Sequence, residues 1–218
     1  LVALLVYITA LIAFFALNVN KIAAMPAEQI ADTAGANYLL VGSDGRQDLT
    51  AKEKRVLHTG DSEGQRTDTI MLLHVPNLGT PTLISIPRDS WVPIPGHGSD
   101  KINAAFALGG PPLLIQTVEN TTGVHIDHYV EVGMLGVANI ADSLGGVTLC
   151  PADNYNDKNS GLNVQKGCQS MDGPTALAYV RMRYADPKGD IGRAERQQEY
   201  IKAVATKTAN PFTFLNPF

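Results

Sequence analysis

Three short apolar runs, each closed by glycine or proline, constrain this chain most. They are residues 38–41 (Tyr-Leu-Leu-Val, then Gly42), 69–75 (then Pro76) and 82–86 (then Pro87). Short apolar runs with such boundaries read as strands buried on both faces. Residues 128–132, 147–149 and 179–184 read as further strands. Apolar spacing predicts helices over 111–119 and 134–144, and 50–57, 174–179 and 192–208 also read as helical. Residues 154–167 read as a polar loop. Strands mixed with helices define an α/β layer architecture.

Residues 1–18 carry no charge and are almost all apolar. A bilayer-spanning helix needs about 20 such residues. Residues 1–20 are therefore assigned to a membrane anchor, 21–36 to a juxtamembrane linker and 37–218 to the folded domain. With no initiator Met and no basic segment before Leu1, the anchor is expected to be truncated. The other reading is a signal-peptide core. Against it, such a core spans only about 7–15 residues, and no small-residue cleavage site is clear. The remaining ~190 residues suffice for one ordinary domain with a sizeable core. A net charge of −4 argues against a nucleic-acid partner, which calls for a basic footprint. Cys150 and Cys168, outside any zinc-spaced motif, are either a disulfide or two buried thiols. The anchor favours the disulfide, because it implies an oxidising compartment.

The placement of arginine carries the chemistry. Of eight arginines, seven fall in four short clusters with aspartate or a second arginine. The clusters are Gly42-Ser43-Asp44-Gly45-Arg46, Arg66-Thr67-Asp68-Thr69, Pro87-Arg88-Asp89 and the stretch from Arg181 to Arg196. Three lie at the ends of predicted strands, where open α/β sheets place their ligand crevices. Arginine matches phosphate oxygens with a planar fork of donors. Aspartate offers hard oxygens of the kind magnesium takes beside substrate phosphates. The set suits a magnesium–pyrophosphate group, with surface salt bridges as the plainer alternative. On a strand, Arg181 and Arg183 would share one face. On a helix, Arg193, Arg196 and Gln197 would share another, with Asp190 as N-cap and Glu195 and Glu199 on the solvated side. Lys101, in Asp100-Lys101-Ile102-Asn103, is a candidate point-charge contact to phosphate, whereas Asn103 reads as structural. The five histidines form no ligand motif.

Together these residues resemble the LytR–CpsA–Psr family of bacterial cell-wall enzymes. The resemblance runs from about Asn37 to Lys207 and rests on NYLLVGSDGR, RTDTIMLLHV, LISIPRDSWV, DKINAAFALGG, VGMLGVANIADSLGGV, ALAYVRMRYAD and DIGRAERQQEYI in that order. It implies an α/β/α sandwich around a central mixed sheet, outside the cytoplasm, on a single membrane-spanning helix. It implies a phosphotransferase that moves a glycopolymer from a polyprenyl pyrophosphate carrier to peptidoglycan, with the prenyl tail in an apolar tunnel. By matched position it implies Asp44 and Asp68 as Mg2+ ligands. Arg66, Arg88, Arg181, Arg183, Arg193 and Gln197 match the pyrophosphate clamp, and Asp89 and Asp190 match supporting acids. The long 46–65 segment and the cysteine pair are similar to actinobacterial members, for which the resemblance implies arabinogalactan as the polymer. A pyrophosphate hydrolase using the same residues, and a non-catalytic lipid-binding regulator, are the competing functions.

Overall fold

A computed structural model describes residues 20–43, 49–57, 59 and 67–209. The anchor up to residue 19, Asp44, Arg66, much of the 46–65 segment and the 212–218 tail lie outside these residues.

Strands β1 (Ala36–Ser43), β2 (Thr67–Val75), β3 (Thr82–Ile86) and β6 (His128–Gly133) form a central sheet in the order β3-β2-β1-β6. Neighbours β1/β2 and β2/β3 are antiparallel and β1/β6 parallel, so the sheet is mixed, as expected. Trp91–Ile94 (β4) and Gly98–Lys101 (β5) form a separate hairpin. The 50–57 helix is α1 (Ala51–Val56), begun by a capping box in which Thr50 Oγ1 accepts from Glu53 N and the Glu53 carboxylate accepts from Thr50 N.

Successive strand residues face opposite ways, and both faces are apolar. Leu39, Val41, Ile70 and Leu72 turn to one face, where α2 (Ile102–Thr122) meets them with Ala105, Leu114, Ile115 and Val118. Full burial of a side chain such as Leu39 stabilises the fold by about 1.5–3 kcal/mol. Within α2 the helical path breaks at Gly109 and Gly110, the latter at φ 65°, just before Pro111 and Pro112. Leu40, Met71, Val130 and Val132 turn to the opposite face, towards α3 (Met134–Ser143), α4 (Gly173–Arg181) and α5 (Gly189–Thr208). Helices α3 and α4 touch at Gly173, where a Cβ would stand 2.3 Å from Ala138 O, so only glycine permits this approach. The amide of Gly173 donates to Asp142 Oδ1 at 2.6 Å.

Three local expectations are corrected. Residues 179–184, expected as a strand, are the end of α4 and a short connection towards α5. Asp172 accepts from Thr175 N, Pro174 occupies the first turn, and the helix runs on through Arg181. The loop expected over 154–167 contains a hairpin of β8 (Tyr155–Asp157) and β9 (Leu162–Val164). Flanking it, β7 (Val147–Leu149) pairs with β10 (Gln169–Met171), and a Cys150–Cys168 disulfide (S–S 2.01 Å) ties the loop at its base. Finally, Asp190 is not the N-cap of α5. Lys188 is, and the turn before it is held by Asp186 Oδ1, which accepts from Lys188 N at 2.9 Å.

Candidate active site

The topology gathers distant clusters at one edge of the sheet. There β1 and β6 end and β2 begins, because Ser43 pairs with both Thr67 and Gly133. Strand β3 also ends there, with Ile86 opposite Ile70. Asp68, at the start of β2, therefore meets Arg88, two residues beyond β3, and Arg88 Nη1 donates to Asp68 Oδ1. Arg88 Nε lies 3.5 Å from Asp89 Oδ2, and Asp89 Oδ1 holds Lys101 Nζ at 2.6 Å. From the helical layer, Asp190 Oδ1 takes Arg183 Nε at 3.1 Å and Arg193 Nη2 at 3.3 Å.

These groups sense one another. Partial burial opposes the charge on Arg88, but Asp68, Asp89 and Asp190 more than offset it and raise its pKa. Burial lowers the pKa of Arg193; Asp190 counters this only in part, and Arg88 adds to the lowering. A half-buried guanidinium with too little negative charge around it is a ready receptor for phosphate oxygens. Lys101, then Arg88, holds the Asp89 carboxyl below its usual value.

Behind this edge a cavity of about 600 Å³ lies between the sheet and the layer of α3, α4 and α5. Its polar lining includes Asp68, Arg88, Arg181, Arg183, Arg193 and Gln197, and its apolar lining includes Leu40, Val130, Val137, Ile140, Ile201 and Val204. So six of the expected site residues meet around one cavity. Arg181 Nη1 also donates to Leu57 O at 3.0 Å, tying the segment after α1 to the site. Gln197 Nε2 donates to Val180 O at 3.4 Å. Asp190 stands beside the cavity as the partner of two lining arginines. Asp89 and Lys101 form an ion pair behind Arg88 and do not line the cavity. The backbone N of Asn103 donates to Arg88 O at 3.3 Å.

The shared-face expectations hold only in part. Arg181 and Arg183 both reach the cavity, yet Met182 between them is buried in extended backbone at the end of α4, not in a strand. Arg193 and Gln197 line the cavity, but Arg196 turns away beneath α5. It is 5% exposed, pairs with Asp186 and donates to the carbonyls of Tyr179 and Met182. A Cβ on Gly192 would stand 1.9 Å from Asp186 Oδ2, so glycine is required for this buried pair. Glu199 is not simply solvated, since its carboxylate accepts from Tyr179 OH at 2.8 Å and Cys150 N at 2.6 Å.

Reading the sequence missed Asp157, Asn159 and Ser160, which the β8–β9 hairpin carries into the cavity wall. Their signal was present as two short alternating stretches around Lys158-Asn159-Ser160-Gly161, a hairpin pattern. It also missed a second cluster, Asp32, His125 and Asp127, whose ligand atoms lie within 4.8 Å of one another, near the start of β1 and away from the site.

Among the described residues at the sheet edge, Asp68 offers hard carboxylate oxygens of the kind that magnesium takes. The Asp68 side chain is partly exposed and gives one oxygen to Arg88. Ser43, the residue before Asp44 in sequence, pairs with Thr67, the residue before Asp68. Magnesium usually takes only one or two protein carboxylates and completes its shell with waters and substrate phosphates.

The fold and site together define an α/β domain with an arginine-ringed mouth on an apolar interior. The chain belongs to the LytR_cpsA_psr family, whose model matches residues 15–216. It is 54% identical over 202 residues to the probable cell wall biosynthesis protein LcpB of Corynebacterium glutamicum, covering 92% of this chain and 49% of that protein. It is 38% identical over 181 residues to the polyisoprenyl-teichoic acid–peptidoglycan teichoic acid transferase TagU of Oceanobacillus iheyensis, covering 80% and 52%. The chain thus spans about half the length of these curated relatives. Among solved structures, it matches YwtF (TagT) with bound octaprenyl pyrophosphate lipid at a TM-score of 0.65 and 28% identity, covering 88% of this chain and 74% of that one.

Proposed function

We propose that this chain is the catalytic part of a phosphotransferase that moves a glycopolymer from a polyprenyl pyrophosphate carrier to peptidoglycan. The carrying observation is that Arg88, Arg181, Arg183 and Arg193 line the same cavity as an apolar wall of strand and helix residues. A diphosphate at the arginines would leave its prenyl tail among Leu40, Val130, Ile140 and Val204. The relatives named for teichoic acid transfer and for bound octaprenyl pyrophosphate support the reading. The apolar N-terminal segment supports an anchored domain outside the cytoplasm, and the disulfide suits that compartment. The polymer proposed is arabinogalactan, and the relative named for cell wall biosynthesis supports a cell-wall polymer in general.

In this reaction an acceptor hydroxyl oxygen attacks the phosphorus nearer the sugar. The new O–P bond forms as the bridging P–O bond breaks, and polyprenyl phosphate leaves with the bridging oxygen. The hydroxyl proton passes to a carboxylate at the mouth, where Asp68 stands in the lining and Asp190 beside it. Arg88, Arg183 and Arg193 orient the diphosphate and meet the charge that grows on the leaving phosphate. Asp68, with Asp44, would hold Mg2+, which neutralises phosphate charge when bound.

The test is to incubate the purified protein with a polyprenyl pyrophosphate glycan, peptidoglycan and Mg2+. Glycan covalently joined to peptidoglycan is expected, and Arg88→Ala and Arg183→Ala are each expected to slow it about 10²-fold or more. Free phosphorylated glycan as the main product would instead make the protein a hydrolase. Wild-type rates in both variants would remove the arginines from the chemistry.

A further inference from the structure

A second group of titratable side chains lies away from the arginine mouth, beside the start of β1. Asp32, from the segment before β1, meets His125 and Asp127, from the connection between α2 and β6, with ligand atoms within 4.8 Å of one another. His125 and Asp127 each have one end fixed and the other turned to the group. Asp127 Oδ2 accepts from Asn37 N at 2.7 Å, and Asp127 Oδ1 lies 3.9 Å from His125 Nε2. The other ring nitrogen, Nδ1, is buried and lies 3.4 Å from Glu119 Oε1. Glu119, in the last turn of α2, has a fully buried side chain, and its Oε2 has no hydrogen-bond partner among the described residues. Its Oε1 is held by Gln29 Nε2 at 2.9 Å and by Ile126 N at 2.8 Å, so the carboxylate is fixed behind the imidazole ring.

Three carboxylates thus surround one imidazole, and among the described residues no lysine or arginine pairs with any of them. A buried carboxylate such as Glu119 is costly unless a cation answers it. Glu119 meets the group only through the His125 ring, so the cation it calls for is one carried by that ring. This is the carboxylate–histidine–metal order. The carboxylate fixes the ring with the proton on Nδ1 and leaves the Nε2 lone pair for a metal. One imidazole nitrogen with two carboxylate oxygens and an open fourth position is a donor set for zinc, whereas magnesium and calcium favour oxygen alone. Ligands of one tetrahedral zinc ion stand about 3.3 Å apart. Asp32 is exposed and precedes the sheet, so it is the ligand with freedom to close onto the ion.

We propose that His125, Asp127 and Asp32 form a zinc site that fastens the segment before β1 to the connection entering β6. Neither cysteine competes for the ion, since both are held in the disulfide. The site is independent of the transferase reading. The experiment titrates Zn2+ by calorimetry into untagged protein cleared of metal by a chelator, with melting temperature followed alongside. Wild type is compared with Asp68→Ala, Asp32→Ala and His125→Gln. Asp68→Ala removes the carboxylate at the sheet edge and is expected to bind zinc here within about twofold of wild type. Asp32→Ala and His125→Gln are each expected to weaken binding by about tenfold or more. Zinc is expected to raise the melting temperature of wild type and to leave that of Asp32→Ala unchanged. Should His125→Gln melt lower without zinc, Asp32→Ala, a change at an exposed position, carries the test. A tenfold loss in Asp32→Ala with Asp68→Ala unaffected upholds the site. Wild type that takes up no zinc overturns it and leaves His125 to answer Glu119 with a proton. Zinc binding that Asp32→Ala leaves intact, or that Asp68→Ala abolishes, overturns it by placing the ion elsewhere.

Discussion

Asp190 orders two guanidinium groups that would otherwise repel each other, with one oxygen 3.1 Å from Arg183 Nε and 3.3 Å from Arg193 Nη2. Without it the two cations drift apart, and the diphosphate they align shifts with them. Asp190→Ala is expected to lower kcat/KM for glycan transfer about 10²-fold, the scale of an ångström-sized misplacement. The prediction fails if the variant turns over within threefold of wild type. Arg88, Arg183 and Arg193 were legible in the sequence because several arginine–aspartate clusters at strand ends and helix starts together suit an anionic ligand, and Gln197 because it follows Arg193 by one helical turn. Arg196 belongs to the same run of residues, yet it serves the interior, and nothing in the spacing distinguished it. Which way it turns depends on Asp186, ten residues earlier, and on the space left by Gly192.

Helix α5 carries both kinds of arginine, and its seat on the fold is the Arg196–Asp186 pair. Arg196→Ala would leave a buried carboxylate uncompensated, at an expected cost of about 3–5 kcal/mol, readable as a lower denaturant midpoint. Burial raises the Asp186 pKa, but the Lys188 amide and Arg196 outweigh it, so the folded value lies below the usual one. Its contribution to stability is therefore fully present above about pH 4 and is lost as pH falls through the lower folded value. Melting curves should show wild type losing stability below pH 4, and Arg196→Ala losing less over the same range. The strand expected over 179–184 shows why elements resist local reading. Tyr179 and Val180 favour strands, but Asp172 and Pro174 start a helix that carries them into the core. Removing the bond at the hairpin's base, by Cys150→Ala with Cys168→Ala, is expected to cost about 3 kcal/mol.

At the scale of the molecule, the α/β layering was legible from short apolar runs, since strands covered on both faces need helices on both, whereas the mixed order of the sheet followed only from the family resemblance. The cavity was not. Leu40, Val130, Ile140 and Val204 have the same residue types as the core on the other face, where Leu39, Val41, Ile115 and Val118 pack together. Only the spacing of the helical layer separates a lined cavity from packed interior. Val204→Trp is expected to weaken octaprenyl pyrophosphate binding at least tenfold while leaving a short-chain prenyl pyrophosphate within twofold, as titrations would show. Because the space between sheet and helices is walled by the same aliphatic groups that make a core, a prenyl chain lodged there becomes a detachable part of the protein's interior. Thermal tolerance should then rise with the supply of lipid carrier, by about 2.7 kcal/mol at a hundredfold excess over Kd. Protein without carrier would be the form most open to unfolding and proteolysis, so the amount of enzyme would track the amount of its own lipid.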